Sequence, residues 1–284
     1  MSYGICVVGL GLMGASLAGA LRGFRDARIT GADALEDVCR KAERAGVVDQ
    51  AVTNAESVVR DADLVIFCVY AHHIPPMVEQ CAGMFREGAV VSDICGVKSG
   101  LYAQLADLLP SSVDYVGIHP MTGKERDGFD NADPAMFKNS GLILCPLPST
   151  RPGSVELMRE LAGHIGASRV AVAAPAEHDA VIAYTSDLMH IASAGLCLKP
   201  HPDTGPAFTA GAFRDCTRVA DINAEAWTEL LMDNRVHTLV RLETYMEGLR
   251  EIRDALMTGD GAALHALLKR AGENKREMLK RWTR

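Results

Sequence analysis

The 284-residue chain lacks any excess of positive charge: 29 Lys and Arg stand against 36 Asp and Glu, a formal net charge of −7 with histidine neutral. A general nucleic-acid binder is basic, so no nucleic-acid partner is expected. Long hydrophobic runs are missing too. Residues 5–21 are apolar, but Gly9, Gly11 and Gly14 interrupt them, and nothing approaches the roughly 18–20 residues needed to span a bilayer. That stretch also lacks the basic flank of a signal peptide, so no membrane role is expected. The eight cysteines (Cys6, Cys39, Cys68, Cys81, Cys95, Cys145, Cys197 and Cys216) form no C-x-x-C pair and no Cys/His cluster at zinc spacing. No metal is expected, and free thiols in a reducing cytoplasm are the plain reading. Internal repeats and low-complexity tracts are absent as well.

What is present is an ordinary globular composition. Hydrophobic residues make up 48% and charged residues 23%, which excludes wholesale disorder. The length is about 1.9 times a typical ~150-residue domain, so two domains are expected. Up to residue 174, short apolar β-branched runs alternate with amphipathic stretches. Strands are predicted at 5–8, 29–31, 64–69, 89–92, 115–118, 142–145 and 170–173, and helices at 35–45, 74–85, 101–109 and 155–165. Nearly continuous apolar strands separated by helices suit a parallel sheet covered on both faces, so residues 1–174 are expected to form a doubly wound α/β domain. After Ala174-Pro175 the strand signal stops. Residues 177–198 read as one long helix and 199–206 as a turn-rich breaker; helical periodicity then runs to the C-terminus. Residues 175–284 are expected to form an all-α C-terminal domain whose apolar helices build a homodimer interface.

Gly9-Leu10-Gly11-Leu12-Met13-Gly14 is a G-x-G-x-x-G that follows a predicted strand and opens a predicted helix. In that context Gly9 makes the tight turn, Gly11 admits a pyrophosphate and Gly14 lets helix and strand pack closely, so the first domain reads as Rossmann-type. Asp33 ends the second strand, 19 residues beyond Gly14. A carboxylate there accepts ribose hydroxyls and repels a 2′-phosphate, and no Arg stands at Ala34 or Leu35. NAD is therefore expected over NADP, held by residues 9–14, Asp33 and Val69. FAD proteins share the fingerprint but carry further contacting segments that are not found here.

Two later loops, residues 92–99 and 117–125, lie at carboxyl ends of predicted strands, where open α/β sheets bind ligands. His119, followed by Pro120, either accepts a proton near neutral pH or merely bonds backbone. Lys98 and Lys124 stand beside this pocket as candidate cations for substrate carboxylates or cofactor phosphate, or as ordinary loop-end lysines. Arg214 and Arg218 are one helical turn apart and share a face if that segment is helical.

At these residues the sequence resembles the prephenate/arogenate dehydrogenases of tyrosine biosynthesis. The similarity rests on residues 9–16, on His119-Pro120-Met121-Thr122-Gly123-Lys124-Glu125, and on Phe213-Arg214-Asp215-Cys216-Thr217-Arg218-Val219-Ala220. Further matches are Glu177-His178-Asp179, the helix around 186–190, Trp227 and Asn234. The resemblance implies oxidation of ring C4 by NAD with loss of CO2. It also implies His119 as the group that takes the C4-hydroxyl proton, Arg218 as the carboxylate ligand and His190 at the substrate. Arg214 either contacts substrate or pairs with Asp215 or another domain residue, and Lys98 and Thr122 join the substrate site by their place beside His119. His178 and Asp179 read as a structural element bridging the domains.

Two departures stand out. The family often has Ser at the position of Gly96, where the hydroxyl orients the catalytic His; Ser99, Thr122 or a water are the candidate substitutes. It often has His at the position of Asp187. A carboxylate there, or at Asp203, would pair with the α-ammonium of arogenate or serve only as a solvated or capping group. The leading reading is a monofunctional NAD-dependent prephenate dehydrogenase, with arogenate dehydrogenase as alternative. A β-hydroxyacid-type dehydrogenase and a non-catalytic NAD sensor rank lower: the first needs a Lys on the long helix, and the second needs no proton acceptor. The basic terminal run (Lys269, Arg270, Lys275, Arg276, Lys280, Arg281, Arg284) reads as a solvated helix face.

Overall fold

Alternate residues of the first strand go to opposite sides of one sheet, and that division organises the nucleotide-binding half of the molecule. The computed structural model describes residues 3–124, 126–201 and 205–282. Its eight strands are β1 (Gly4–Val8), β2 (Arg28–Ala32), β3 (Gln50–Val52), β4 (Leu64–Phe67), β5 (Val90–Asp93), β6 (Asp114–Pro120), β7 (Gly141–Pro146) and β8 (Arg169–Val172). They lie in the order β3-β2-β1-β4-β5-β6-β7-β8. The helices of this half are α1 (Leu12–Ala20), α2 (Glu36–Arg44), α3 (Glu56–Val59), α4 (Ile74–Cys81), α5 (Ser99–Leu108) and α6 (Pro152–His164). Ile5 and Val7 join Leu17 of α1, Leu21 just beyond it, and Leu157 and Leu161 of α6 in one core. Cys6 and Val8 face the other way, onto Ile74 and Val78 of α4 and Leu101 and Leu105 of α5.

The doubly wound sheet is as expected, with two differences. β3 is a three-residue edge strand, too short to show as an apolar run. β7 runs antiparallel to β6, with His119 opposite Ile143. Among the described residues, the link from β6 to β7 holds only the short 3-10 turns Phe129–Asn131 and Pro134–Phe137 and no crossover helix, so the chain returns on the same side. The order reverses at β1, whose neighbours are β2 and β4; a ligand crevice is expected beyond the carboxyl ends of β1 and β4.

Beyond β8 the described regular elements are all helical. α7 (Pro175–Ile182) passes through a π turn at Ala183–Asp187 into α8 (Leu188–Leu198). The predicted single helix is thus continuous but carries one wide turn, a feature often found at functional sites. Pro175–Leu198 is also long and apolar enough, by composition alone, to cross a membrane. One face of it buries His178, Asp179 and Asp187, which are hydrogen-bonded within the protein, while Val181, Met189 and Leu196 are exposed. α9 (Gly211–Thr217), a 3-10 turn at Arg218–Ala220 and α10 (Ala224–Asp233) follow. The chain divides into two compact units, Met1–Asn234 and Arg235–Arg284. The second is a helical hairpin of α11 (Arg235–Thr258) and α12 (Gly261–Trp282), turned at Gly259 with φ 67°.

Candidate active site

The glycine turn is built by exclusion. Gly9 has φ 89°, and a Cβ there would lie 2.6 Å from the Cys68 carbonyl oxygen and 2.7 Å from Cγ1 of Val69. A Cβ on Gly14 would fall 1.8 Å from the Gly9 oxygen, whereas one on Gly11 would meet nothing within 4 Å. Gly11 therefore keeps a surface open, at the N-cap of α1, and no side chain caps that helix. Free N–H groups and the positive end of the helix dipole make this a site for a diphosphate. Asp33 stands beside the turn: its carboxylate accepts the Leu10 N–H at 2.8 Å and the Leu35 N–H at 3.0 Å. The side chain of Leu10 is core, packed on Gly31, and Leu12 is buried, so their part in a cofactor site is through the backbone.

At the carboxyl end of the parallel pair β5–β6, β6 delivers a half-buried His119. Its Nδ1 lies 2.9 Å from Nε2 of His178, whose Nδ1 lies 2.7 Å from Oδ1 of Asp179. Asp179 also accepts the N–H groups of Lys98 (2.9 Å) and Ser99 (2.8 Å) at the start of α5. Burial pushes the Asp179 carboxyl up, but the hydrogen bonds from His178, Ser99 and Lys98 outweigh it and hold the group below the usual carboxylate range. In the neutral imidazole of His178, an ionised Asp179 keeps the proton on Nδ1, and Nε2 accepts. Nδ1 of His119 then donates, and Nε2 of His119 carries the free lone pair. Burial, then the neighbouring His178 and Lys98, hold His119 well below the ordinary histidine value, so it is neutral near pH 7.

His178 and Asp179 were expected to bridge domains; they do tie α7 to the β5–α5 loop, and they also complete a relay to His119. The contact spans 59 residues of sequence, and the only local signal was a His-Asp pair at a helix start. Of the candidate substitutes for the missing Ser, Thr122 donates to the Met136 carbonyl at 3.0 Å, and the partner of His119 is His178. A side chain at Gly96 would crowd Leu230 of α10, since a Cβ there would lie 2.8 Å from its Cδ1.

Lys98 requires a correction. It is 0% exposed, with Nζ 2.6 Å from Oδ1 of Asp93 and 2.7 Å from the Ile118 carbonyl oxygen. An ammonium enclosed in this way behind β6 cannot be a substrate ligand. Lys124 pairs at the surface with Asp133 at 3.1 Å. His190 on α8 bonds the Ser186 carbonyl at 3.0 Å through Nδ1, and its ring lies 3.6 Å from that of Trp227. The Arg218–Ala220 turn packs against the same helix, with Arg214 and Arg218 exposed. Asp187 is fully buried and its Oδ2 accepts from Asn234 Nδ2 at 2.7 Å. Asp203 and Glu125 lie outside the described residues.

A doubly wound sheet with an open glycine turn after β1 and a neutral histidine at the end of β6 is the arrangement of a nucleotide-binding oxidoreductase. Residues 17–171 match the family model for the prephenate dehydrogenase nucleotide-binding domain, and residues 174–270 match that for the prephenate dehydrogenase dimerization domain. The chain belongs to the prephenate/arogenate dehydrogenase family. It is similar to the prephenate dehydrogenase of Bacillus subtilis (strain 168), with 30% identity over 94% of this chain and 74% of that one. Synechocystis arogenate dehydrogenase has a similar structure, with TM-score 0.82 and 28% identity over 97% and 99% of the two chains. The fold is also that of prephenate dehydrogenase from A. aeolicus in complex with hydroxyphenyl propionate and NAD+, with TM-score 0.85 and 24% identity over 97% and 98%.

Proposed function

We propose that the chain oxidises prephenate to 4-hydroxyphenylpyruvate and CO2 with NAD+, the dehydrogenase step of tyrosine biosynthesis. The observation that carries this reading is the Asp179–His178–His119 chain of hydrogen bonds, which leaves Nε2 of His119 as a neutral proton acceptor. NAD fits the glycine turn, since the uncapped α1 N-terminus suits its diphosphate and Asp33 its ribose; when bound, NAD+ accepts the hydride from ring C4. His119 takes the C4-hydroxyl proton, so electron density rises at C4 as hydride departs, and aromatisation makes loss of CO2 downhill. Arg218 holds a substrate carboxylate with a bidentate fork, with Arg214 and His190 nearby on the helical side. The chain works against its own net charge of −7, so capture of a dianion falls to these local cations.

Prephenate is preferred to arogenate because the Asp187 carboxylate is enclosed and bonded to Asn234 rather than presented to an ammonium group. The test is a side-by-side assay of NADH formation with prephenate and arogenate. Turnover on prephenate at the higher kcat/KM is expected; turnover on arogenate alone would reverse the substrate, and none on either would remove the reading. A homodimer built by the helical region is part of this proposal, supported by exposed Val236, Leu239 and Val240 on α11, and sedimentation of single chains only would refute it. Eight free cysteines accord with a reducing cytoplasm, and fractionation to another compartment would contradict that.

A further inference from the structure

The reaction leaves the buried ammonium of Lys98 without a task. We infer that Lys98 is a positioning residue for His119: its ammonium fixes the strand that carries the histidine, while its own N–H fixes the carboxylate at the far end of the relay. The inference rests on His119 being the proton acceptor of the proposed reaction.

The ladder between β5 and β6 ends at Val91 opposite Tyr115. From there β6 runs on toward His119, and side chains take over on the side facing β5. Ser92 Oγ donates to the Val116 carbonyl at 2.6 Å, and Lys98 Nζ donates to the Ile118 carbonyl at 2.7 Å, one residue before His119. Such a grip requires an ammonium held in place. Asp93 supplies this at 2.6 Å, and its carboxylate is in turn bonded by the Cys95 N–H and the Tyr115 hydroxyl. A Cβ on Gly117 would lie 2.8 Å from the Tyr115 hydroxyl, 2.9 Å from Asp93 Oδ2 and 3.3 Å from Lys98 Cδ, so the cluster lies directly against the strand. Lys98 therefore touches both supports of His119: Ile118 through Nζ, and Asp179 through its backbone N–H at 2.9 Å.

The groups around the histidine give this placement an electrostatic consequence. α7 offers His178 and Asp179, the β5–α5 loop offers Lys98 with Asp93 behind it, and β7 and α10 offer the apolar Ile143 and Leu230. Burial pushes the Cys95 thiol and the Tyr115 phenol up, so both are neutral. Lys98 disfavours a second positive charge on the His119 ring and so works with burial to keep it a base.

The test uses the full chain with Lys98→Met and Asp93→Asn made together, which removes both buried charges and strands neither. Lys98→Gln with Asp93→Asn is the second variant, because it keeps an N–H donor toward Ile118. Thermal unfolding, kcat and KM with prephenate and NAD+, and NMR titration of the His119 ring are measured. In the Met variant, kcat is expected to fall at least tenfold with KM within threefold, and the His119 ring to protonate at higher pH than in the parent chain. The Gln variant is expected to recover most of kcat while the ring titration stays displaced. A folded Met variant with parental kcat and titration would overturn the inference, as would a rise in KM alone, which would put Lys98 at the substrate. If the parent chain oxidises neither prephenate nor arogenate, the proposed reaction fails by itself, and the ring titration still decides Lys98.

Discussion

The glycine turn after β1 and the histidine relay at the end of β6 hold reactive geometry in opposite ways. The turn does so by leaving atoms out: Gly9 and Gly14 are fixed because a Cβ at either would collide with backbone, and Gly11 stays open. Three glycines within six residues suffice, and the geometry is local. The relay does so by adding partners from three distant segments, with Asp179 and His178 on α7, His119 on β6 and the Lys98 and Ser99 amides at the start of α5. The first binds by backbone, so its effect falls on cofactor affinity. The second sets the protonation of one side chain, so under the proposed reaction its effect falls on turnover.

The sharpest separation comes from His119→Asn, which keeps polarity but removes the base. A loss of about 10²–10⁴ in kcat is expected, with NAD+ affinity by calorimetry within threefold of the parent; loss of both would break the distinction between the two regions. Gly14→Ala reverses the pattern. Its Cβ would be driven toward the Gly9 oxygen, 1.8 Å away, so the turn must open. NAD+ binding should weaken more than tenfold and unfolding free energy drop by about 1–3 kcal/mol, measured by titration and by denaturant melts. Asp179→Asn tests the relay at its far end. An amide there can donate to His178 and reverse the tautomers, and a loss of about tenfold to a hundredfold in kcat at constant NAD+ affinity is expected.

The smallest effect is in pH. Burial and its cationic neighbour keep the His119 pKa below 6.5, so the acid limb of kcat/KM with prephenate should lie below that value. The sign for stability is the same. The unfolded chain takes up a proton first as pH falls, so the contribution of His119 is complete above about 6.5 and declines toward its lower folded value. An acid limb above 6.5 would contradict the environment described for the ring.

This contrast also explains what could be read before the fold was known. The apolar runs gave the predicted strands of the sheet, because strands covered on both faces must be apolar throughout, and the glycine spacing gave the turn, because its constraints act between neighbours. β3 escaped because three residues at an edge carry no period. The reversal at β7 escaped because direction depends on whether a link crosses the sheet, and that is a matter of packing. His119 was legible from His-Pro at a strand end. Its partner was not, since the 59-residue separation of His119 and His178 closes only when α7 docks on the β5–α5 loop. The burial of Lys98 is hidden in the sequence for the same reason. A lysine at a loop end reads as exposed, and only the buried Asp93 five residues earlier draws it beneath the strand.

The central claim is that the relay leaves a lone pair on Nε2 of His119, and the tautomer of that ring can be observed directly. Long-range ¹H–¹⁵N correlation spectra of the imidazole at pH 7, assigned through His119→Asn, distinguish a protonated Nδ1 from a protonated Nε2. The expected result is a neutral ring with its proton on Nδ1, shared toward His178. A proton on Nε2, or a ring doubly protonated at that pH, would contradict it.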